Sequence, residues 1–379
     1  MQGKVKNLSR KVLKEIPKGL LKQAKKSGIE ESSKRSATFF QADHKLAYTD
    51  ISKFYQGKLE IMDVREALRK YAWLRKYMWK IVDKNKDKFT LAADKNLGGG
   101  YFIRIFKKQE VVLPLQSCLM ITKEGFKQNV HNIIISEEGS TAHIIAGCIS
   151  EQNIRQARHV GISEFFVKKN ALMNFTMIHT WGPETLVRPR SGAIVEDNAT
   201  FVSNYICVQA VKDIQMYPVA YLNGKNSLGR FTSLLFASGK GIYDVGGKCV
   251  LNGKGSGAEI ISRVIAKDKS KVASRGMLIG NTPDSKGHLE CSGLLLSEKA
   301  QISAVPELIA NKSSDLSHEA AVGKIAEKEL VYLMSRGLSK EEATSTIIRG
   351  FLDTKILGLP QNLQRYIDHL MEQIKSASG

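Results

Sequence analysis

Three residues near the end of the chain have side chains that could bind a soft metal or accept sulfur. Cys291 lies in the segment GHLECSGLLLS, and His318 and Glu319 lie side by side in DLSHEAAVG, 27 positions further along. Thiolate and imidazole are ligands that soft metals and iron–sulfur clusters prefer, and a carboxylate can add to such a set. One chain offers too few thiolates for a four-cysteine cluster, so a cluster site here would need ligands from a second subunit.

The His-Glu pair also has a purely structural interpretation. It precedes an amphipathic segment, where a histidine could cap a loop and Glu319 could be a favourable acid in a first helical turn. The residues alone leave both interpretations open.

The remaining cysteines do not form a recognisable site. The chain has five cysteines, an odd number, widely spaced and without a CxxC pair, which argues against a disulfide framework and a self-contained zinc site. We therefore interpret them first as small buried hydrophobic residues, a reading that covers Cys118, Cys148, Cys207 and Cys249.

Common enzyme signatures are missing from the sequence. It contains no phosphate loop, no HExxH, no GxSxG elbow and no Rossmann fingerprint after a strand. The glycine- and lysine-rich segment GGKCVLNGKGS lacks the GK[ST] spacing of a nucleotide loop. The motifs thus predict no nucleotide site.

The middle of the chain has the periodicity of a stacked repeat. From Tyr101 to Val322, short runs rich in Val, Ile, Phe, Thr and Tyr alternate with polar turns, spaced by about 14 to 15 residues late in the chain and about twice that earlier. A sandwich would turn every 8 to 12 residues or so, so the pattern favours a parallel β-helix. If a coil takes about 28 to 30 residues, Cys291 and His318 lie on neighbouring coils.

Both flanks have helical periodicity. Residues 1–100 are predicted to be a helical region, chiefly from the stripe in DVREALRKYAWLRKYMWKIV; residues 101–322 form the β-helix core. Residues 323–379 are predicted to be a three-helix domain, with a capping box at Ser339, a left-handed cap at Gly337 and a last helix that opens at Pro360. A surplus apolar face on this small bundle would dock a partner.

The 379-residue chain carries a formal net charge of +20, and its first hundred residues hold 24 Lys/Arg against 11 Asp/Glu. Such an excess fits either an anionic partner or only a solvated basic face. Nucleic-acid binding is not predicted, because no nucleic-acid motif accompanies the charge and aromatic residues are just 7%. No run of roughly 18 apolar residues and no secretion signal is found, so we expect no membrane association and a cytoplasmic location.

The segment HEAAVGKIAEKELVYLMSRGLSKEEATSTIIRGF is similar to the C-terminal signature of the SufB/SufD family of iron–sulfur cluster assembly proteins. Upstream, MLIGNTPDSKGHLECSGLLLS resembles the family's cysteine segment, YPVAYLNGKNSLGRFTSLLFASG its central coil and NVHNIIISEEGSTAHIIAGC an early coil. The resemblance covers roughly residues 110 to 358 and implies a right-handed parallel β-helix core between N-terminal and C-terminal α-helical regions.

The resemblance also implies a function. It implies a non-catalytic scaffold that pairs with itself or a paralogue, takes sulfur from a donor, holds a transient iron–sulfur cluster and serves apo-protein acceptors. Its C-terminal helices would bind a SufC-type ABC ATPase, which hydrolyses the ATP. Cys291 matches a SufB cysteine regarded as a cluster or sulfur ligand, His318 a histidine shared by both subfamilies, and Glu319 the acidic residue after it. A flavin has no support in the sequence.

The chain departs from the family pattern at one informative position. SufB members carry a cysteine implicated in receiving sulfur where this chain has Ala220, so the route of sulfur differs, with Cys207 or Cys249 as substitutes or as plain core thiols. SHEAAVG mixes SufD-like and SufB-like features, which leaves a SufD-like structural subunit without a cluster of its own as the alternative. An enzyme acting on polysaccharide, as on other β-helices, would need a dense acidic cluster that the repeats lack.

Overall fold

The computed structural model describes residues 23–25, 27–30, 34–151 and 153–352. The chain winds into a parallel β-solenoid of about eight turns with short helices near its ends. This confirms the predicted mainly β fold and its stacked coils.

The described residues contain twenty-one strands. The first ten are β1 (Ala37–Ala42), β2 (Lys45–Ile51), β3 (Leu59–Asp63), β4 (Tyr101–Ile105), β5 (Glu110–Ile121), β6 (Lys127–Ser136), β7 (Thr141–Ser150), β8 (Arg158–Val167), β9 (Leu172–Thr180) and β10 (Leu186–Val187). The others are β11 (Arg190–Val195), β12 (Thr200–Cys207), β13 (Asp213–Met216), β14 (Val219–Leu222), β15 (Leu228–Ala237), β16 (Ile242–Leu251), β17 (Gly257–Ala266), β18 (Lys271–Gly280), β19 (Lys286–Leu295), β20 (Gln301–Ala310) and β21 (Asp315–Lys324).

The same ranges contain four α-helices and two 3₁₀ helices. The α-helices are α1 (Val64–Lys70), α2 (Lys88–Lys95), α3 (Glu327–Ser335) and α4 (Lys340–Phe351). The 3₁₀ helices span Lys53–Tyr55 and Ala72–Lys76.

Successive coils contribute alternately to two sheets that enclose a central lumen. Sheet A has the strand order β2-β1-β5-β7-β9-β12-β15-β17-β19-β21, and sheet B runs from β3 at one end to β18 and β20 at the other. Pairing between coils is parallel and in register, so aligned residues point to the same face. The alternate side chains that face inward form one continuous apolar cluster along the lumen.

The polar turns predicted from the sequence form one corner of the solenoid. On successive coils this corner carries a residue with positive φ, a conformation that Gly, Asn and Asp tolerate: Gly139, Asn170, Asn198, Asn226, Gly255 and Asp284. A ladder of amide hydrogen bonds, each 2.7 Å long, joins the turns of the last coils through Asn223, Asn252, Asn281 and Asn311. The periodic turns therefore fix the coil length and the register.

The N-terminal region is only partly helical, unlike the prediction for residues 1–100. Strands β1 to β3 lie within it, and β1 pairs in parallel with β5 while β2 and β3 pair antiparallel with β1 and β4. The predicted long helix is divided at Tyr71, whose backbone is extended, into α1 and a 3₁₀ turn. The predicted helix around Pro17 lies outside the described residues.

After β21 the chain becomes helical at Glu327, close to the predicted change at residue 323. The capping box between Ser339 and Glu342 is present, and Gly337 adopts φ 93°. Ile348 and Phe351 of α4, followed by Leu352, pack on the outer face of sheet A beside Leu294. The last predicted helix, from Pro360, lies outside the described residues.

Among the residues with described coordinates, no helix has both the length and the apolar character required to cross a membrane.

Candidate functional site at the open end of the solenoid

The two sheets finish differently from the way they begin. Within the described residues, β20 and β21 are the last strands of sheets B and A, and nothing pairs with their outer edges. Burial falls off across the last coil: Leu289 of β19 is fully buried, whereas Val322 of β21 is 42% exposed. We call this end, formed by β20 and β21, the mouth of the solenoid.

Cys291 lies in the lumen, one coil inside the mouth. It is 2% exposed, belongs to the main interior cluster and is aligned with Ala320 of the last strand. The Ser274 hydroxyl lies 3.9 Å from the Cys291 sulfur, within hydrogen-bonding distance for sulfur. Burial raises the pKa of the Cys291 thiol, and the hydrogen bond from Ser274 opposes that increase.

His318 faces the same lumen from the last coil. It is aligned with Leu289, a residue of the interior cluster, so its side chain is on the lumen side of β21, where it is exposed. Because Cys291 is aligned with Ala320, His318 is diagonal to the sulfur, two residues back on the neighbouring strand. The structure thus brings the thiol and the imidazole to one face of adjacent coils.

Glu319 lies on the opposite face of the same strand. It is aligned with Glu290, whose carboxylate is on the outer surface of sheet A, 3.4 Å from the Arg263 guanidinium. The Ser292 hydroxyl also donates to Glu290, over 3.2 Å. The carboxylates of Glu290 and Glu319 therefore occupy adjacent outward positions, separated from Cys291 by the thickness of the sheet.

The coil length explains this division. Cys291 pairs with Ala320, so a coil here takes 29 residues, and His318 is two positions short of alignment while Glu319 is one short. Side chains in a strand alternate between faces with a period of two, so an offset of two keeps the face and an offset of one changes it. The mid-strand position of both residues also excludes the helix-cap interpretation.

A single chain does not complete a metal site here. Among the residues that the structure describes, no three His, Cys, Asp or Glu side chains are placed to hold one metal ion. What the mouth offers is one thiol and one imidazole on the lumen side, with two carboxylates outside. Further ligands would have to come from another molecule.

The other four cysteines are buried core thiols. Burial raises the pKa of Cys148 to about 12 and that of Cys207 to about 11, and it also raises the pKa of Cys249. Cys249 is aligned with Ala220 on the neighbouring coil, so it is one coil away from the position where SufB members carry a cysteine. Both of these residues are fully buried.

Sequence reasoning missed two polar neighbours of the candidate residues. Glu290 precedes Cys291 and pairs with Glu319, and Ser274 reaches the sulfur from sheet B across the lumen. The strand alternation around Cys291 could have revealed Glu290. Ser274 could have been found only by counting about half a coil back from Cys291, since consecutive strands belong to different sheets.

Comparison with known proteins agrees with these features. The family model described as "SUF system FeS cluster assembly, SufBD core domain" matches residues 119–351. An iron-sulfur cluster assembly SufBD family protein from Archaeoglobus fulgidus is 48% identical over 350 residues, covering 92% of this chain and 93% of the relative. A homologue from Methanothermobacter thermautotrophicus is 46% identical over 356 residues, covering 92% and 86%. One from Staphylococcus aureus is 28% identical over 367 residues, covering 94% and 78%. The chain therefore belongs to the SufBD family of iron–sulfur cluster assembly proteins.

Proposed function

We propose that this chain is a scaffold subunit that holds a nascent iron–sulfur cluster, or its sulfur, where the mouth of the solenoid meets a second subunit. The cluster is cargo, assembled here and passed to apo-protein acceptors. Cys291 and His318 would contribute ligands from the lumen side, and Glu319 would act from the outer face of the same strand. The chain itself catalyses no reaction in this proposal, and the predicted cytoplasmic location is retained.

The observation that carries the proposal is the position of Cys291 beneath an incomplete last coil. Only one strand of sheet A, β21, separates the sulfur's strand from the end of the solenoid. Directly above Cys291 that strand has Ala320, whose side chain is a single methyl group. A second subunit that seats on the mouth could therefore bring ligands within reach of this sulfur.

The mouth also has the chemistry of a subunit interface. Strands β20 and β21 are ten residues long, and a strand at the end of a sheet presents unpaired N–H and C=O groups that another chain can pair with. Ile309 and Val322 are more than two-fifths exposed there. A self-pair or a pair with a SufB/SufD paralogue would cover both features.

The C-terminal helices supply a separate docking surface for the SufC-type ABC ATPase. While α4 packs on sheet A, α3 leaves Val331, Tyr332 and Met334 exposed, with Val331 and Tyr332 more than half accessible. An exposed apolar set on a short helix favours a partner that buries it. ATP hydrolysis would then be coupled to the scaffold through α3.

Anaerobic reconstitution tests the proposal. The chain is co-expressed with the neighbouring SUF subunits, purified without oxygen and incubated with iron and sulfide. We expect a thiolate-to-iron charge-transfer band that Cys291→Ala weakens at least severalfold and that Cys249→Ala, a buried matched control, leaves intact. An equal band in the Cys291→Ala protein would remove this residue from the site.

The same experiment separates the alternative, a SufD-like structural subunit. Its motivation is Ala220, which replaces the sulfur-receiving cysteine. It predicts a stable complex with the ATPase that stays colourless after reconstitution. Neither iron nor ATPase binding would contradict both versions.

A further inference from the structure

A chain of hydroxyl groups inside the lumen ends at the Cys291 sulfur. The Ser233 hydroxyl donates to Ser262 over 3.1 Å, and the Ser274 hydroxyl lies 2.8 Å from that of Ser262. Ser274 also lies 3.9 Å from the Cys291 sulfur. Ser233, Ser262 and Cys291 come from successive strands of sheet A, and Ser274 reaches them from sheet B.

This polar chain is confined to the coils next to Cys291. In sheet A the aligned lumen positions of two earlier coils hold Met177 and Tyr205, which are larger, and the positions then become Ser233, Ser262, Cys291 and Ala320. Burying a hydroxyl without a partner costs about 1–3 kcal/mol, and apolar side chains fill a core at no such penalty. Packing alone therefore gives no reason for hydroxyls here.

Both ends of the last contact are covered by small residues toward the mouth. Cys291 is aligned with Ala320 of β21, and Ser274 is aligned with Ala304 of β20. Two methyl groups therefore separate the sulfur and the hydroxyl from the open end of the solenoid. The hydroxyl is placed to fix the sulfur on the side of the lumen that a second subunit would approach.

We propose that Ser274, supported by Ser262, is a positioning residue that orients the Cys291 sulfur in the lumen toward the mouth. A hydroxyl can accept a hydrogen bond from a thiol and donate one to a metal-bound thiolate, so the same contact serves the empty and the loaded sulfur. Groups that hydrogen-bond to a ligand atom hold its orientation and tune its affinity. The inference deepens the proposed function and rests on it for the loaded state only.

Raman spectroscopy of the metal-free full chain tests the contact directly. The S–H stretching band of Cys291 is identified from the difference between wild type and Cys291→Ala. We expect Ser274→Ala to shift this band toward the frequency of a thiol without a hydrogen bond, Ser262→Ala to shift it less, and Ser274→Thr to leave it in place. Ser163→Ala, which removes another buried hydroxyl far from the sulfur, is the matched control.

A purely structural role for Ser274 would lower the melting temperature without moving the band. An unshifted band in a folded Ser274→Ala protein would overturn the inference, and Ser262→Ala keeps it testable if Ser274→Ala does not fold. Because no metal is used, the result is independent of cluster assembly. In the reconstitution experiment, a shifted Raman band together with a cluster band that Cys291→Ala does not weaken would remove the proposed function while leaving the positioning contact intact.

Discussion

The two ends of the solenoid solve the problem of the terminal strand in opposite ways. At the N-terminal end the chain turns back on itself, so that β2 pairs antiparallel with β1 and β3 pairs antiparallel with β4. The edge strand β2 is seven residues long and irregular, with a register shift between Phe40 and Gln41 in its partner. At the C-terminal end, two ten-residue strands simply stop.

The difference shows where the fold is complete and where it awaits another chain. Short, bulged and antiparallel strands resist pairing with other molecules, whereas long regular edges invite it. The interior follows the same division, since Phe39 and Leu59 are almost fully buried at the closed end and Leu316 is only half-buried at the mouth. The candidate ligands Cys291 and His318 lie at the end that is left incomplete.

The largest expected effect is on stability at the closed end. Leu59→Ala should reduce the free energy of unfolding by about 2–5 kcal/mol, because Leu59 is 1% exposed and its loss leaves a cavity. Leu316→Ala makes the same chemical change at the mouth and should lower it by about 1 kcal/mol or less in the isolated chain, because Leu316 is already half-accessible. Urea unfolding measures both, and equal losses would contradict the contrast between the ends.

A smaller effect is expected from acidification, again in the coils nearer the closed end. Burial lowers the pKa of His143 to about 4 and of His159 to about 3. The unfolded chain would bind protons to both near pH 6.5, whereas the folded chain would not. Their contribution to stability is therefore present above pH 6.5 and is lost as the pH falls toward 4.

Melting temperatures measured between pH 7.5 and 4 check this sign. His159→Gln removes the titrating ring beside Gln128, which the ring contacts over 2.8 Å, so the fall in melting temperature should be shallower in this variant. A variant with the wild-type slope would show that other groups control the acid response.

The part of the fold that the sequence predicts is the part that repeats. Turn residues such as Asn170, Asn198 and Asn226 recur because each coil needs a left-handed residue at one corner, and the interval between them reveals the coil length. The strands β1 to β3 escaped prediction because their pairing is non-local: Thr38, for example, pairs with Gln116. No local pattern announces that contact.

The candidate site was predictable to the level of the coil but not of the face. A spacing of 27 residues correctly placed His318 on the strand next to that of Cys291. An uncertainty of one residue in coil length reverses inside and outside, and an approximate period of 28 to 30 could not decide whether Glu319 joined the thiol or opposed it. The register resolves this and assigns Glu319 to the outer face with Glu290.

The smallest expected change in stability gives the sharpest test of what each end is for. Val322 at the mouth and Leu46 on β2 are exposed to similar extents, 42% and 37%, so a lysine at either position should change the free energy of unfolding by only about 0.5 kcal/mol. Val322 lies near Gly293 and Ile302, on the lumen side of the mouth. Val322→Lys therefore puts a charge where a second subunit would have to bury it, and Leu46→Lys does so at an end that the chain has already closed. Sedimentation of the purified chain, alone and with a co-expressed paralogue, should show association lost in Val322→Lys and kept in Leu46→Lys. The reverse result would mean that subunits meet at the closed end, so that Cys291 and His318 face solvent rather than a partner.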